Sequence, residues 1–63
     1  MRINGRRITD TDMDDIARFM DDDIREKIHI EMAPCSHEKF ITAYLKEDPY
    51  FEEFLKEQFG FER

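Results

Sequence analysis

The sequence predicts a mainly α protein: a small bundle of three to four short helices with an N-terminal β-hairpin or extended arm. We expect residues 1–63 to form a single domain, with the hairpin or arm at 1–9 and the helical part at 10–63. Three observations predict this. Apolar residues recur at three- and four-residue spacing through most of the chain, the repeat of one helix face. Capping residues and prolines punctuate that pattern at short intervals. Valine is absent and β-branched residues are few, which argues against a larger sheet.

Residues 2–8 read Arg-Ile-Asn-Gly-Arg-Arg-Ile. Asn4-Gly5 is a strong signal for a two-residue hairpin turn, because both residue types tolerate positive φ. Ile3 and Ile8 then supply the apolar residues of its two short arms and must dock on helices, since a lone hairpin is marginal in water. Thr9 or Thr11 offers the first N-cap. Met13, Ile16, Ala17 and Met20 follow at helical spacing. Asp21-Asp22-Asp23 interrupts this helix or caps the next.

The second helix carries Ile24, Ile28 and Met32, with Asp21–Arg25 and Asp23–Lys27 expected as favourable i,i+4 pairs. Pro34 ends it within an Ala33-Pro34-Cys35 turn. Ser36 caps a third helix whose face is Phe40, Ile41, Tyr44 and Leu45. Asp48-Pro49 marks the next boundary, with Asp48 expected to cap and Pro49 to occupy the first helical position. The fourth helix buries Phe51, Phe54, Leu55 and Phe59. Gly60 fits a left-handed cap, with Phe61 folding back on Leu55.

Composition narrows function. A chain of 63 residues supports only a thin core. Its single cysteine, Cys35, allows no internal disulfide and points to a reducing, cytoplasmic setting. Polar and charged residues after Met1 lead us to expect a complete small reading frame without a signal peptide, and no apolar run reaches membrane-spanning length.

The 16 acids and 10 bases give a net charge of −6, unevenly spread. Residues 1–10 carry three Arg and one Asp (+2); residues 11–36 carry eight acids and three bases (−5); residues 37–63 carry seven acids and four bases (−3). Neutralisation of nucleic-acid phosphates by the helical part is therefore excluded as its main activity, and attraction to a basic surface is the natural alternative. Arg2, Arg6 and Arg7 support only weak, salt-dependent phosphate contact.

Catalytic and metal chemistry find little support. His29, Glu31, Cys35 and His37 are all zinc-ligand types, but their spacing fits no zinc motif. Cys35 and His37 could be read as a nucleophile and base, yet so short a chain has little room for a water-excluding pocket. Asp12, Asp14 and Asp15 lack the glycine and distal glutamate of a calcium loop, and helix N-terminal carboxylates account for such residues structurally. We expect no cofactor and no enzyme activity.

Two excesses call for function. Asp22 with Glu26, and Glu53 with Glu57, are like charges at i,i+4, a spacing that destabilises a helix by about a few tenths of a kcal/mol. Local choices that oppose folding are where function is expected. With Asp15, Glu47 and Glu52 they can compose a negative face that imitates a phosphate row. The aromatics are the second excess. Phe51, Phe54 and Phe40 are expected in the core, Phe19 and Tyr50 at the surface, and tyrosine is a favoured hot-spot residue. The expected partner-binding set is thus Asp15, Asp22, Glu26, Glu47, Tyr50, Glu52, Glu53 and Glu57. Its expected counterpart is the basic surface of a nucleic-acid-binding protein.

The run Met20-Asp21-Asp22-Asp23-Ile24-Arg25-Glu26 through His29, then Ala33-Pro34-Cys35, Glu38 to Phe40, Tyr44, Asp48-Pro49 and Phe51-Glu52-Glu53, resembles small acidic proteins of Firmicutes phages and mobile elements. The start, Ile3-Asn4-Gly5 to Ile8-Thr9, is similar too. In size and charge the chain is similar in style to anti-CRISPR proteins that act as acidic decoys or interface blockers. The resemblance implies an inhibitor of a nucleic-acid-handling host protein, such as a CRISPR effector, in the bacterial cytoplasm. It transfers no functional residue. The alternative from another class is a homodimer or regulatory, antitoxin-like module built on exposed aromatics.

Overall fold

The computed structural model describes residues 1–33 and 35–63. In chain order the elements are β1 (Arg2–Ile3), α1 (Asp10–Ala17), α2 (Asp22–Met32), α3 (His37–Glu47), α4 (Phe51–Phe59) and β2 (Phe61–Glu62). The expected mainly α architecture holds, with four helices and one short antiparallel strand pair among the described residues.

The pairing of that strand differs from the hairpin reading. Asn4 and Gly5 do form a tight turn with φ of 51° and 76°, closed by reciprocal backbone bonds between Ile3 and Arg6 of 2.8 and 3.1 Å. The chain after Arg6 does not continue as a second arm. β1 instead pairs with β2 at the other end of the sequence, Arg2 opposite Glu62 and Ile3 opposite Phe61. The physical reason is burial: this register puts Ile3 and Phe61 side by side in the core, at 1 % and 3 % exposure, whereas a local hairpin would bury only its own small residues.

α1, α2 and α3 each start on a side-chain cap. Thr9 caps α1 in a capping box: its hydroxyl accepts from the Asp12 N–H at 3.1 Å, and the Asp12 carboxylate accepts from the Thr9 N–H at 2.9 Å. Asp21 caps α2 by accepting from the Ile24 N–H, and Ser36 caps α3 by accepting from the Lys39 N–H. Because the Asp21 carboxylate is occupied there, it does not pair with Arg25. Arg25 meets Asp22 at 3.1 Å, and Lys27 reaches across to Glu47 of α3 at 3.1 Å. Neither expected i,i+4 pair of α2 forms. Pro34, expected to end that helix, lies outside the described residues.

α4 begins at Phe51 with Tyr50 as an uncapped first boundary residue, two positions later than the Asp48-Pro49 signal implied. Asp48 caps nothing through its side chain. Its carboxylate accepts instead from the Tyr44 hydroxyl at 3.1 Å, and that hydroxyl in turn accepts from the Asp21 N–H at 2.8 Å. Tyr44 thereby ties the N-cap of α2 to the C-cap of its own helix, α3, through one buried oxygen. Burial raises its pKa above the ordinary value, so it remains a neutral phenol in this relay.

The core is Ile3, Ile16, Met20, Ile28, Ile41, Tyr44, Leu45, Phe51, Leu55 and Phe61. Met20 is buried although α1 stops at Ala17; two tight turns, Phe19 N–H to Ile16 and Met20 N–H to Ala17, fold it inward and leave Phe19 outside. Phe40 and Phe54 are only partly buried, packed against the core rather than within it.

Arg6, expected with Arg2 and Arg7 to support weak phosphate contact, is paired with Asp12. Its guanidinium donates to both carboxylate oxygens, one of them at 2.9 Å. The Arg6 hydrogen bonds, with the Thr9 backbone, hold the Asp12 carboxyl well below the usual carboxylate range. A depressed folded-state pKa contributes stability that is complete above the ordinary Asp value and is lost as pH falls toward the folded one. Asp12→Asn is therefore expected to cost about 2 kcal/mol at neutral pH, from a lost charged hydrogen-bond pair and a weakened cap. That deficit should shrink below about pH 4, where the Asp12 carboxyl of the unfolded wild-type chain begins to protonate while the folded one stays ionised. Thermal unfolding of both proteins at pH 7 and pH 3 checks it; a deficit unchanged at pH 3 contradicts it.

Candidate partner-binding surface

The eight residues singled out by charge and exposure fall into two groups. Asp15, Asp22, Glu47 and Glu52 each sit beside a cation. Asp15 meets Arg18 at 3.9 Å, Asp22 meets Arg25, and Glu47 meets Lys27. Glu52 is held by Arg63 at 2.9 Å and Lys56 at 3.3 Å. The Arg63 hydrogen bond, with help from Lys56, lowers the Glu52 pKa. These carboxylates contribute little net field, because their charge is already offset locally.

Glu26, Glu53, Glu57 and Tyr50 behave differently. The three glutamates are exposed and make no ion pair among the described residues. Tyr50, Glu53 and Glu57 stand at i, i+3 and i+7, so they share one outward strip at and along α4. Phe51 and Leu55 of the same helix point into the core, which fixes the strip toward solvent. Glu26 lies apart on α2, on the rim of a groove of 620 Å³ floored by Met13, Ala17 and Phe40 and edged by Asp22, Arg25 and His29. The like-charge pair Glu53–Glu57 is thus left unrelieved, whereas Asp22 of the other pair is relieved by Arg25.

Beside the α4 strip lies an aromatic group that spacing alone does not reveal. Phe19, from the turn after α1, packs on Phe54 with ring centroids 5.1 Å apart and on Phe59 at 6.1 Å. Phe54 stacks on Phe51 at 5.4 Å. The group opens to solvent: Phe19 is 58 % exposed and Tyr50 87 %. Together with Asp48 they line a shallow depression of 320 Å³. Exposed aromatic rings bordering unpaired acids give this part of the surface an amphipathic character.

Among the described residues, no group of three or more His, Cys, Asp or Glu could hold a metal ion. His37 is engaged with Asp10 at 2.7 Å, joining the start of α3 to that of α1. Among the described residues, no helix is long and apolar enough to cross a membrane.

No curated protein and no solved structure matches the chain. A family model described as anti-CRISPR protein AcrIC5 matches residues 1–54, which takes in α1 to α3, Tyr50 and Glu53 and stops short of Glu57 and β2. With the match covering that much of a 63-residue sequence, the chain belongs to the AcrIC5 family of anti-CRISPR proteins.

Proposed function

We propose that the protein inhibits a CRISPR–Cas component non-catalytically, by occupying a positively charged surface that otherwise receives nucleic acid. Its carboxylates stand in for phosphates there. The observation that supports this most is the outward strip of α4, where Tyr50, Glu53 and Glu57 are exposed and unpaired while Glu52 on the flank is neutralised. Folding alone does not favour leaving two glutamates at i,i+4 without a cation. The net charge of −6 adds long-range attraction to a basic groove. The molecule's longest dimension, 29 Å, is about the rise of eight base pairs at roughly 3.4 Å each, so it is large enough to cover a short stretch of duplex footprint.

A competition experiment tests the reading. Fluorescently labelled target DNA is bound to the purified CRISPR effector complex and displaced by the inhibitor at rising salt. Displacement is expected, and because the contacts are between opposite charges, the inhibitor's affinity should fall about tenfold or more between 50 and 300 mM salt. Inhibitor bound to the effector with DNA still in place, or an affinity indifferent to salt, would overturn the proposal.

A further inference from the structure

We infer that the depression formed by Phe19, Tyr50, Phe51 and Phe54, with Asp48 at its rim, is a socket for an arginine side chain of the partner. The inference rests on the inhibitor reading above and names the group on the partner that the α4 surface grips. Its walls are the exposed rings of Phe19 and Tyr50, and its floor is the stacked pair Phe51–Phe54. A planar guanidinium is weakly hydrated and stacks on aromatic faces, whose electron-rich centres attract a cation. An ammonium gains less from the same socket because it holds its water more tightly and cannot stack.

Charge complementarity selects a cation over an apolar insert. Asp48 is half-buried, and no Lys or Arg pairs with it among the described residues. The hydroxyl of Tyr44 donates to its Oδ2 at 3.1 Å and so orients the carboxylate. Oδ1 accepts no side-chain hydrogen bond among the described residues. Glu53 and Glu57 add negative potential on the neighbouring strip. An apolar side chain entering here would desolvate Asp48 without compensation; a guanidinium compensates it. Tyrosine and arginine are also enriched among interface hot spots, which tend to pair across the interface.

The test uses the full-length, ¹⁵N-labelled protein and a small probe, N-acetyl-L-arginine amide, with N-acetyl-L-citrulline amide as the uncharged isostere. Amide shifts confined to Phe19, Asp48, Tyr50 and Phe54, larger for arginine than for citrulline, are expected. Asp48→Asn should erase the preference for arginine. In the effector assay Tyr50→Ala is expected to weaken binding roughly tenfold while leaving the salt dependence intact, and Tyr50→Phe to restore it, since the ring is what stacks. Equal shifts from both probes, shifts spread over all the acidic surface, or concentration-dependent broadening of these residues from self-association would overturn the socket. The two proposals fail separately. Loss of the socket response with salt-sensitive DNA displacement intact removes only the socket. A localised arginine response without DNA displacement removes the inhibitor reading.

Discussion

Gly60→Ala is expected to lower the melting temperature by roughly 10–20 °C, from a loss of about 2–3 kcal/mol in a domain of this size. Two penalties add. Gly60 ends α4 at φ 62°, ψ 39°, a left-handed conformation that costs an L-residue with a side chain about 1–2 kcal/mol. A Cβ there would also run into the side chain of Asn4 and press on its backbone nitrogen at 3.3 Å. The neighbour cannot simply retreat, because the Asn4 N–H donates to the Gly60 carbonyl at 3.1 Å. That bond continues the β1–β2 ladder, which holds Ile3 and Phe61 in the core. A disturbance at one glycine therefore loosens both chain ends together. Asn4→Gly combined with Gly60→Ala should recover part of the loss by removing the side-chain collision while the φ penalty remains, a coupling measurable as a double-mutant cycle. A Gly60→Ala protein melting at the wild-type temperature would contradict this account of the clasp.

The contrast between what was legible and what was not follows from the range of the interactions involved. Helix existence, the caps at Thr9 and Ser36, and the left-handed Gly60 are set by neighbours within four residues, and the sequence displays them. The Thr9–Asp12 capping box belongs to this class too, since Thr followed three residues later by an acid is a local signature. The strand partner of Ile3 was not legible. It comes from Phe61 at the far end of the chain, and two-residue strands carry no periodicity. The same holds for Lys27–Glu47 and for the Tyr44 relay. Lys27–Glu47 joins α2 to α3, and the Asp21 N–H reaches the Tyr44 hydroxyl across 23 positions of sequence, so both are fixed by packing rather than by near neighbours.

For the surface, exposure of Phe19 and Tyr50 could be anticipated because both fall off the apolar stripes. Which acids were neutralised could not. Asp15 and Asp22 found bases three residues on, but Glu47 and Glu52 found theirs from α2 and from the C-terminal Arg63. The surplus carboxylates that remain are fewer than composition suggests, and on α4 they are Glu53 and Glu57, both exposed.

Glu57→Lys sharpens that point, because folding and binding should move in opposite directions. In α4 the substitution turns a repulsive Glu53–Glu57 spacing into an attractive acid-to-base pair of the favourable orientation. It also adds a cation to the last helical turn, where the dipole welcomes one. Stability is expected to rise by about 0.5 kcal/mol, read as a small increase in melting temperature. Binding to the effector complex should nevertheless fall about tenfold, since one attractive charge has become repulsive toward a basic partner. Reversing both residues, Glu53→Lys with Glu57→Lys, is expected to weaken binding about 100-fold, or roughly 2.8 kcal/mol at 1.4 kcal/mol per decade. A control carrying Asp14→Lys and Glu31→Lys changes the net charge by the same amount at exposed positions on α1 and α2. If that control loses as much affinity as the α4 variant, global charge rather than the α4 strip governs recognition. A more stable protein that binds less well would instead identify Glu53 and Glu57 as carboxylates kept for the partner at the expense of the helix.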